Sequence, residues 1–426
     1  MVNVATVNLW NKRIGAVSWD ADRQVALFQY YPDFANNNIL DPSPITMPAK
    51  GALNTIYQFP ALPKDTFQGL PGMLADSLPD KFGNIILDEW LSRTGRTKAN
   101  MNPVEKLCYI GNRGMGALEY SPALHERSTS AKIDIEEMTA LVADILSRRK
   151  QLKTSTDSAE MMKDILTVGT SAGGARAKAV IAINDKTGEI ISGQVAVPEG
   201  FTHTLLKFDG VDQSINPQGF GRIEYAYYKM ALDCGIFMSE CRLLETGNHA
   251  HFITKRFDRQ GNKKLHMQSL CGLAHFDFNN PSAYSYEDAF QVMRSLRLPY
   301  GDAEQMFRRM AFNVLTYNRD DHTKNIAFLM NEQGQWSLAP AFDMTFSYKP
   351  DSIWVSRHQM SVNGKRDNIT EADILAIGNT MNIKKPKVIF EQIQSVAMNW
   401  LHYAKDSGVA ELTAKEIFKV LQSKDL

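Results

Sequence analysis

Asp320 and Asn325 stand five positions apart in Tyr317-Asn318-Arg319-Asp320-Asp321-His322-Thr323-Lys324-Asn325, and Asp343 follows 18 residues beyond Asn325. These residue types at these spacings suit the transfer of a phosphoryl group to a hydroxyl. One carboxylate accepts the proton of the attacking hydroxyl, while an amide oxygen and a second carboxylate hold magnesium on the β- and γ-phosphates. On that reading Asp320 is the catalytic base, and Asn325 and Asp343 are the metal ligands. A short loop brings the first two together. A β-ribbon must then return the chain for the third, and residues 326–330, a turn over 331–335 and residues 336–338 read as that ribbon. The same spacing also occurs in ordinary solvated turns, so the rest of the chain has to supply partners.

A second constellation lies upstream. Gly169-Thr-Ser-Ala-Gly173-Gly174-Ala-Arg-Ala-Lys178 precedes a strand. Successive glycines let backbone amides converge on phosphate oxygens with no Cβ in the way. It is not a Walker A loop, because Ala175 stands where a lysine is required, and a flexible hairpin would have a similar composition. Lys207 follows on an apolar strand, Thr204-Leu-Leu-Lys-Phe208, where it either enters a cleft to meet phosphates or extends into solvent. Glu224, 17 residues on, falls early in a helix. It either pairs with Lys207 or simply favours the helix dipole. The order of a Gly-rich loop, strand lysine, helix glutamate, loop Asp and Asn and a later Asp is that of protein kinases. The flanks differ: Asn318-Arg319-Asp320 replaces His-Arg-Asp, and Phe342-Asp343-Met344 replaces Asp-Phe-Gly.

The elements that must position these residues form an α+β chain. Residues 1–125 open with short apolar strands over 4–9, 14–19 and 25–30, followed by turn-rich stretches and a helix over 84–91. Residues 126–163 carry a helix over 135–149, started by a capping box of Asp134 with Glu137, and an exposed polar connector over 150–163. Residues 164–265 are β-rich, with strands over 178–183, 190–197 and 202–208, a helix over 223–234, and a hairpin of 242–245 with 250–257 across Gly247-Asn248. This is the layout of a nucleotide-binding small lobe. Residues 266–426 are mostly helical, with helices over 302–318, capped by Asp302 and Gln305, and 388–404. The expected architecture is thus two-lobed and kinase-like, with a β-rich N-terminal part and a helical C-terminal lobe.

Composition narrows the partners. The 426 residues suffice for two or three domains with cores of their own. Lys+Arg and Asp+Glu are both 47, which argues against strong unaided binding to nucleic acid. Cys108, Cys234, Cys241 and Cys271 form no Cys-x-x-Cys pair, so free thiols in a reducing cytoplasm are expected. Neither a signal peptide nor a membrane span is expected.

The chain resembles HipA, the toxin kinase of HipA–HipB toxin–antitoxin modules, over nearly its whole length. The resemblance is carried by residues 69–83 and 110–118, by Ser171 to Lys178, by Lys255-Arg-Phe-Asp-Arg259 and Met267-Gln268, and by Asp320 to Asn325 and Pro340 to Asp343. It implies a cytoplasmic, ATP- and magnesium-dependent serine/threonine protein kinase. Ser171 would be an inactivating autophosphorylation site. Gly173, Gly174, Lys178, Lys207 and Glu224 would serve ATP binding, with Phe257 and His322 lining the nucleotide site. The implied substrate is an aminoacyl-tRNA synthetase, best known for glutamate, whose phosphorylation halts growth and produces persistence. The implied partner is a HipB-like helix-turn-helix antitoxin, and operator DNA through that complex. Lys255 departs from the Glu that the family often has before Arg-Phe-Asp, which implies altered nucleotide preference. Two other readings stay open: a small-molecule kinase of the aminoglycoside or choline kinase type, and an inactive kinase-like co-repressor.

Overall fold

The computed structural model describes residues 2–36, 40–79, 81–93, 95, 101–124, 132–151, 176–212 and 218–423. The N-terminal part is built on a four-stranded antiparallel sheet ordered β3-β2-β1-β4, from β1 (Val4–Leu9), β2 (Lys12–Asp20), β3 (Val25–Tyr30) and β4 (Leu118–Ser121). Alternation along β1 and β2 puts Val7, Leu9, Ile14 and Val17 inside, as a half-buried sheet requires. The core they build also takes in Cys271 and Met330 from the far end of the chain.

A five-stranded sheet ordered β6-β5-β7-β9-β8 forms the small lobe, from β5 (Lys178–Asn184), β6 (Ile190–Ser192), β7 (Phe201–Lys207), β8 (Cys241–Thr246) and β9 (His249–Lys255). The Phe220–Asp233 helix packs against it. Gly247, at φ +53°, opens the two-residue β8–β9 turn as the sequence predicts. The strand expected over 190–197 stops at Ser192. The Gly193 amide still donates to the Val180 carbonyl at 3.1 Å, and a Cβ there would sit 2.1 Å from the Ile181 carbonyl oxygen, so only glycine fits where the chain leaves β5.

The Ile135–Gln151 helix does start at Asp134, whose Oδ1 accepts the Glu136 and Glu137 amides at 2.8 and 3.1 Å. Together with the Lys81–Arg93 helix it covers the small-lobe sheet, joining Ile86, Leu141, Val142 and Ile145 to Ile181, Leu206 and Ile253 in one core. The connector expected over 150–163 lies, beyond Gln151, outside the described residues.

The helical lobe corrects two expectations. The helix expected over 302–318 runs Tyr300–Leu315, begins after Pro299 and lacks the Asp302–Gln305 capping box. Both side chains serve tertiary contacts instead: Asp302 accepts the Leu338 amide at 2.9 Å, and Gln305 accepts the Phe237 amide at 2.8 Å. The helix expected over 388–404 is two, Pro386–Met398 and Trp400–Asp406, broken at Asn399. The break seats the fully buried Trp400, whose indole donates to the Ala414 carbonyl at 2.9 Å. Pro386 opens the first helix, where its missing N–H costs nothing.

Below the small lobe, the two-residue strands β10 (Arg259–Gln260) and β11 (Lys263–Lys264) pair with each other. A three-stranded sheet, β12 (His266–Ser269), β13 (Ala327–Met330) and β14 (Trp336–Leu338), contains the ribbon that carries the chain from Asn325 toward Asp343. Among the described residues no helix is long and apolar enough to cross a membrane.

Candidate active site

Asp320, His322 and Asn325 share one loop after the Tyr300–Leu315 helix, and that loop is fixed by buried polar bonds. Asp321, next to the expected base, points inward with 1% of its side chain exposed. Its Oδ2 takes Tyr286 Oη at 2.9 Å and His358 Nδ1 at 2.8 Å, and its Oδ1 accepts the Gln359 amide at 2.8 Å. Burial would raise the Asp321 carboxyl, but His358 and these donors outweigh it and keep the pKa below the usual range. With Asp321 held inside, Asp320 faces the cleft with half of its side chain exposed. Burial raises the Asp320 pKa, and Asp343 and Asp321 add to this, against His322 and Arg176.

Asn325 Nδ2 donates to the Asp320 carbonyl at 2.8 Å. That bond commits the amide nitrogen to the protein and leaves Oδ1 as the atom able to face a cation. The ribbon then returns Asp343, which adopts a left-handed backbone at φ +54°. Such a conformation in a non-glycine residue is uncommon and must be imposed by its surroundings. Asn318 supplies part of that hold, donating to Asn313 Oδ1 at 2.9 Å and to the Asp343 carbonyl at 3.4 Å.

Lys207 ends β7 and is buried, with 9% of its side chain exposed. Its Nζ bonds Glu224 Oε1 at 2.5 Å and also bonds Asp343 Oδ1. Burial favours the neutral amine, but Asp343 and Glu224 outweigh it, so the Lys207 pKa is raised and the ammonium persists. Glu224 is on the Phe220–Asp233 helix with 2% of its side chain exposed, which excludes a purely helix-dipole role. Lys178 lies opposite Lys207 in the β5–β7 register and is buried. Burial pushes Asp343 upward, yet Lys207, Lys178 and Arg176 overcome it and hold the carboxyl well below the usual range.

Phe257 packs with Phe342 (ring centroids 5.5 Å apart), Leu265, Met267, Ala327, Leu329 and Ala339 in a small apolar cluster next to Asp343. His322 sits against the Phe278 ring, with Nε2 3.9 Å from Asp320 Oδ1. Seven of the expected positions thus come together, three carboxylates (Glu224, Asp320, Asp343), two lysines (Lys178, Lys207), His322 and Asn325, with Phe257 on the apolar side. Gly173, Gly174 and Ser171 lie outside the described residues.

Sequence reasoning did not single out Arg176 as a partner of Glu224, yet its Nη1 is 3.3 Å from Glu224 Oε2 and its guanidinium lies 3.6 Å from the Phe220 ring centre. It also gave no role to Asp258. That buried carboxylate binds Arg256 at 2.7 Å and Arg259, and accepts the Gly116 amide at 2.7 Å. Both arginines reach the Gly114 carbonyl, so the Arg-Phe-Asp-Arg run is a hub that ties the glycine-punctuated stretch after Ile110 to the strand leaving the small lobe. The run's several charges within four residues were the available signal.

The donor set suits a hard cation. Mg²⁺ is usually bound by one or two carboxylates together with substrate phosphates. One carboxylate and one amide oxygen match that habit. Among the described residues no group of three or more His, Cys, Asp or Glu could hold a metal, so a self-sufficient protein cage is not what this site offers.

Family models match most of the chain. The HipA-like C-terminal domain matches residues 170–401, and the HipA N-terminal domain matches residues 5–121. The chain belongs to the HipA family. Among solved structures it is similar to a chain from the Shewanella oneidensis MR-1 toxin–antitoxin complex of HipA, HipB and its operator DNA. The TM-score is 0.66 at 16% identity, covering 98% of this chain and 95% of that one. The proinflammatory kinase CtkA of Helicobacter pylori also matches, at TM-score 0.30 and 14% identity over 51% of this chain and 92% of that one. No curated protein matches. The HipA fold accounts for the two-lobed α+β architecture. Lys255, the departure from the family's hinge pattern, has its side chain in solvent while its amide donates to the Glu240 carbonyl at 2.9 Å.

Proposed function

We propose that this HipA-family chain is an ATP- and Mg²⁺-dependent serine/threonine protein kinase. The observation that carries the reading is Lys207 held between Glu224 and Asp343, on the same cleft as Asp320 and Asn325. A buried, permanently charged lysine on a sheet end is costly unless its charge is used, and phosphate is its natural partner. Asn325 and Asp343 would hold Mg²⁺, which supplies charge neutralisation on the phosphates. Lys207 and Lys178 would take the phosphates, the Gly173-Gly174 loop would cover them, and the Phe257–Phe342 cluster would bed the base. Asp320, its proton affinity raised by burial, accepts the proton of the acceptor hydroxyl.

The family supports a cellular role as the toxin of a toxin–antitoxin pair, acting in the cytoplasm. Its partner would be a HipB-like helix-turn-helix antitoxin, with operator DNA bound through that complex. The protein substrate would be a translation enzyme such as glutamate–tRNA ligase, its modification causing growth arrest and persistence. Self-inactivation would proceed by phosphorylation of Ser171, because a phosphate there repels the nucleotide's own phosphates.

Purified protein incubated with ATP and Mg²⁺ is the direct test. Wild type should turn over ATP and carry phosphate on Ser171 by peptide mass spectrometry, and Asp320→Ala should do neither. Equal turnover in the two proteins would refute the assignment of the base. Turnover by wild type with no phosphate on Ser171 or Thr170 would refute self-inactivation.

A further inference from the structure

The three residues between Asp321 and Asn325 all rest on one loop, residues 275–279. The Phe278 ring lies 5.4 Å from the His322 ring and 4.7 Å from the Lys324 ammonium. The Thr323 hydroxyl donates to the Phe276 carbonyl at 2.8 Å. His322 Nδ1 is buried with no hydrogen-bond partner among the described residues, and the ring's contact is with Phe278 beside Asp320.

The same loop is fastened to the N-terminal part of the chain. The Thr66 hydroxyl bonds the Asp277 carboxylate, Asn279 Nδ2 donates to Thr66 Oγ1 at 2.8 Å, and Asp277 Oδ1 accepts the Asn279 amide at 2.9 Å. Thr66 and Asp277 are 6% and 9% exposed. His275 enters this loop with a left-handed backbone at φ +59°. Its Nε2 accepts the Gly72 amide at 3.0 Å, and its ring meets Phe59 at 4.5 Å. Adhesion of the two regions does not need this cluster. Cys271 and Met330 already share the N-terminal core, and the Gly72–Ala75 and Leu270–Ala274 helices cross so closely that a Cβ on Gly72 would lie 2.1 Å from the Gly272 carbonyl oxygen. The polar cluster instead fixes a loop against which His322, Thr323 and Lys324 pack.

We infer that Thr66, Asp277 and Phe278 form a positioning relay through which the N-terminal domain sets His322 beside Asp320, making that domain a working part of the phosphotransfer site. The inference rests on the kinase reading above. None of the three is a catalytic residue; each acts through the next.

A double-mutant cycle on the full chain tests it, using ATP turnover with Mg²⁺ as the probe and Asp320→Ala as the blank. Small displacements of a reacting group are expensive, so Thr66→Val should lower kcat about tenfold while KM for ATP changes less than about twofold. Thr66→Ser, which keeps the hydroxyl, should restore kcat. Because Thr66 acts through Phe278, Thr66→Val combined with Phe278→Ala should be no slower than Phe278→Ala alone. If Thr66→Val does not fold, Asn279→Ala takes its place in the cycle. Wild-type kcat in the first variant, or effects that simply multiply in the pair, would overturn the relay while leaving the kinase reading intact. Wild-type protein no faster than Asp320→Ala would overturn both.

Discussion

Replacing Glu224 by Gln removes one negative charge from a site that holds three cations close together. Glu224 Oε1 is 2.5 Å from Lys207 Nζ and Oε2 is 3.3 Å from Arg176 Nη1, with 2% of the side chain exposed. Breaking a buried ion pair by neutralising one partner costs about 3–5 kcal/mol, because the surviving charge stays desolvated. Asp343 remains as a counter-ion for Lys207, so the lower end applies, about 3 kcal/mol. The loss also redirects Lys207. Without Glu224 it is drawn wholly to Asp343, the carboxylate expected to bind Mg²⁺. Glu224→Gln should therefore require more Mg²⁺ for half-maximal turnover. It should also lower kcat about 10²-fold, if most of that 3 kcal/mol is positioning energy lost from the transition state. Turnover measured against Mg²⁺ concentration at saturating ATP, alongside urea denaturation, reads both effects. A kcat within about threefold of wild type and an unchanged Mg²⁺ dependence would refute the claim that Glu224 apportions Lys207 between nucleotide and metal ligand.

Asp343→Ala should abolish the Mg²⁺ dependence and lower turnover by at least about 10²-fold, checked by the same assay. Lys207→Ala should weaken Mg·ATP binding in calorimetry, and Lys207→Arg should not restore it, because a planar fork does not replace a compact ammonium in a buried slot. The base must be ionised to accept a proton, and burial raises the Asp320 pKa above its ordinary 3.8. Turnover should thus fall with acidity along a limb whose midpoint lies above that value, while Asp343, held low by Lys207, contributes no titration there. Burial opposes ionisation of Asp258, but Arg256 and Arg259 hold its folded pKa well below 3.8. Its contribution to stability is therefore full above the unfolded pKa and is lost as pH falls toward the folded one. Asp258→Asn should remove about 3–5 kcal/mol at neutral pH, read by urea denaturation, since two buried guanidinium groups would then face each other unpaired.

The sequence by itself picked out residues that the fold brings together and many of the elements that carry them. Short apolar runs bounded by turn residues gave β1, β3, β5, β7 and the Gly247-Asn248 hairpin close to their observed ends, because both signals are local. Asp320, Asn325, Asp343, Lys207 and Glu224 were singled out by their order and spacing, and the fold brings them to one cleft. Capping was less legible. Asp134 accepts the first amides of its helix, the half of the expected capping box that the structure shows, whereas Asp302 and Gln305 were claimed by Leu338 and Phe237, partners that no local window contains.

Only the tertiary structure decided which of two neighbouring carboxylates faces the cleft. The spacing to Asn325 singles out Asp320 in the sequence, but nothing local says that its neighbour Asp321 turns inward. Tyr286, His358 and Gln359, 35 to 38 positions away, hold Asp321 inside and leave Asp320 outside. It also decided that Lys207 and Glu224 are buried partners rather than a solvated lysine and a helix-dipole carboxylate, since burial depends on what packs above a strand end. The bond between Thr66 and Asp277, 211 positions apart in sequence, belongs to the same class. A local pattern records which face of an element is apolar, but the placement of a charge is set by every chain segment that crosses it, and those segments are distant in sequence.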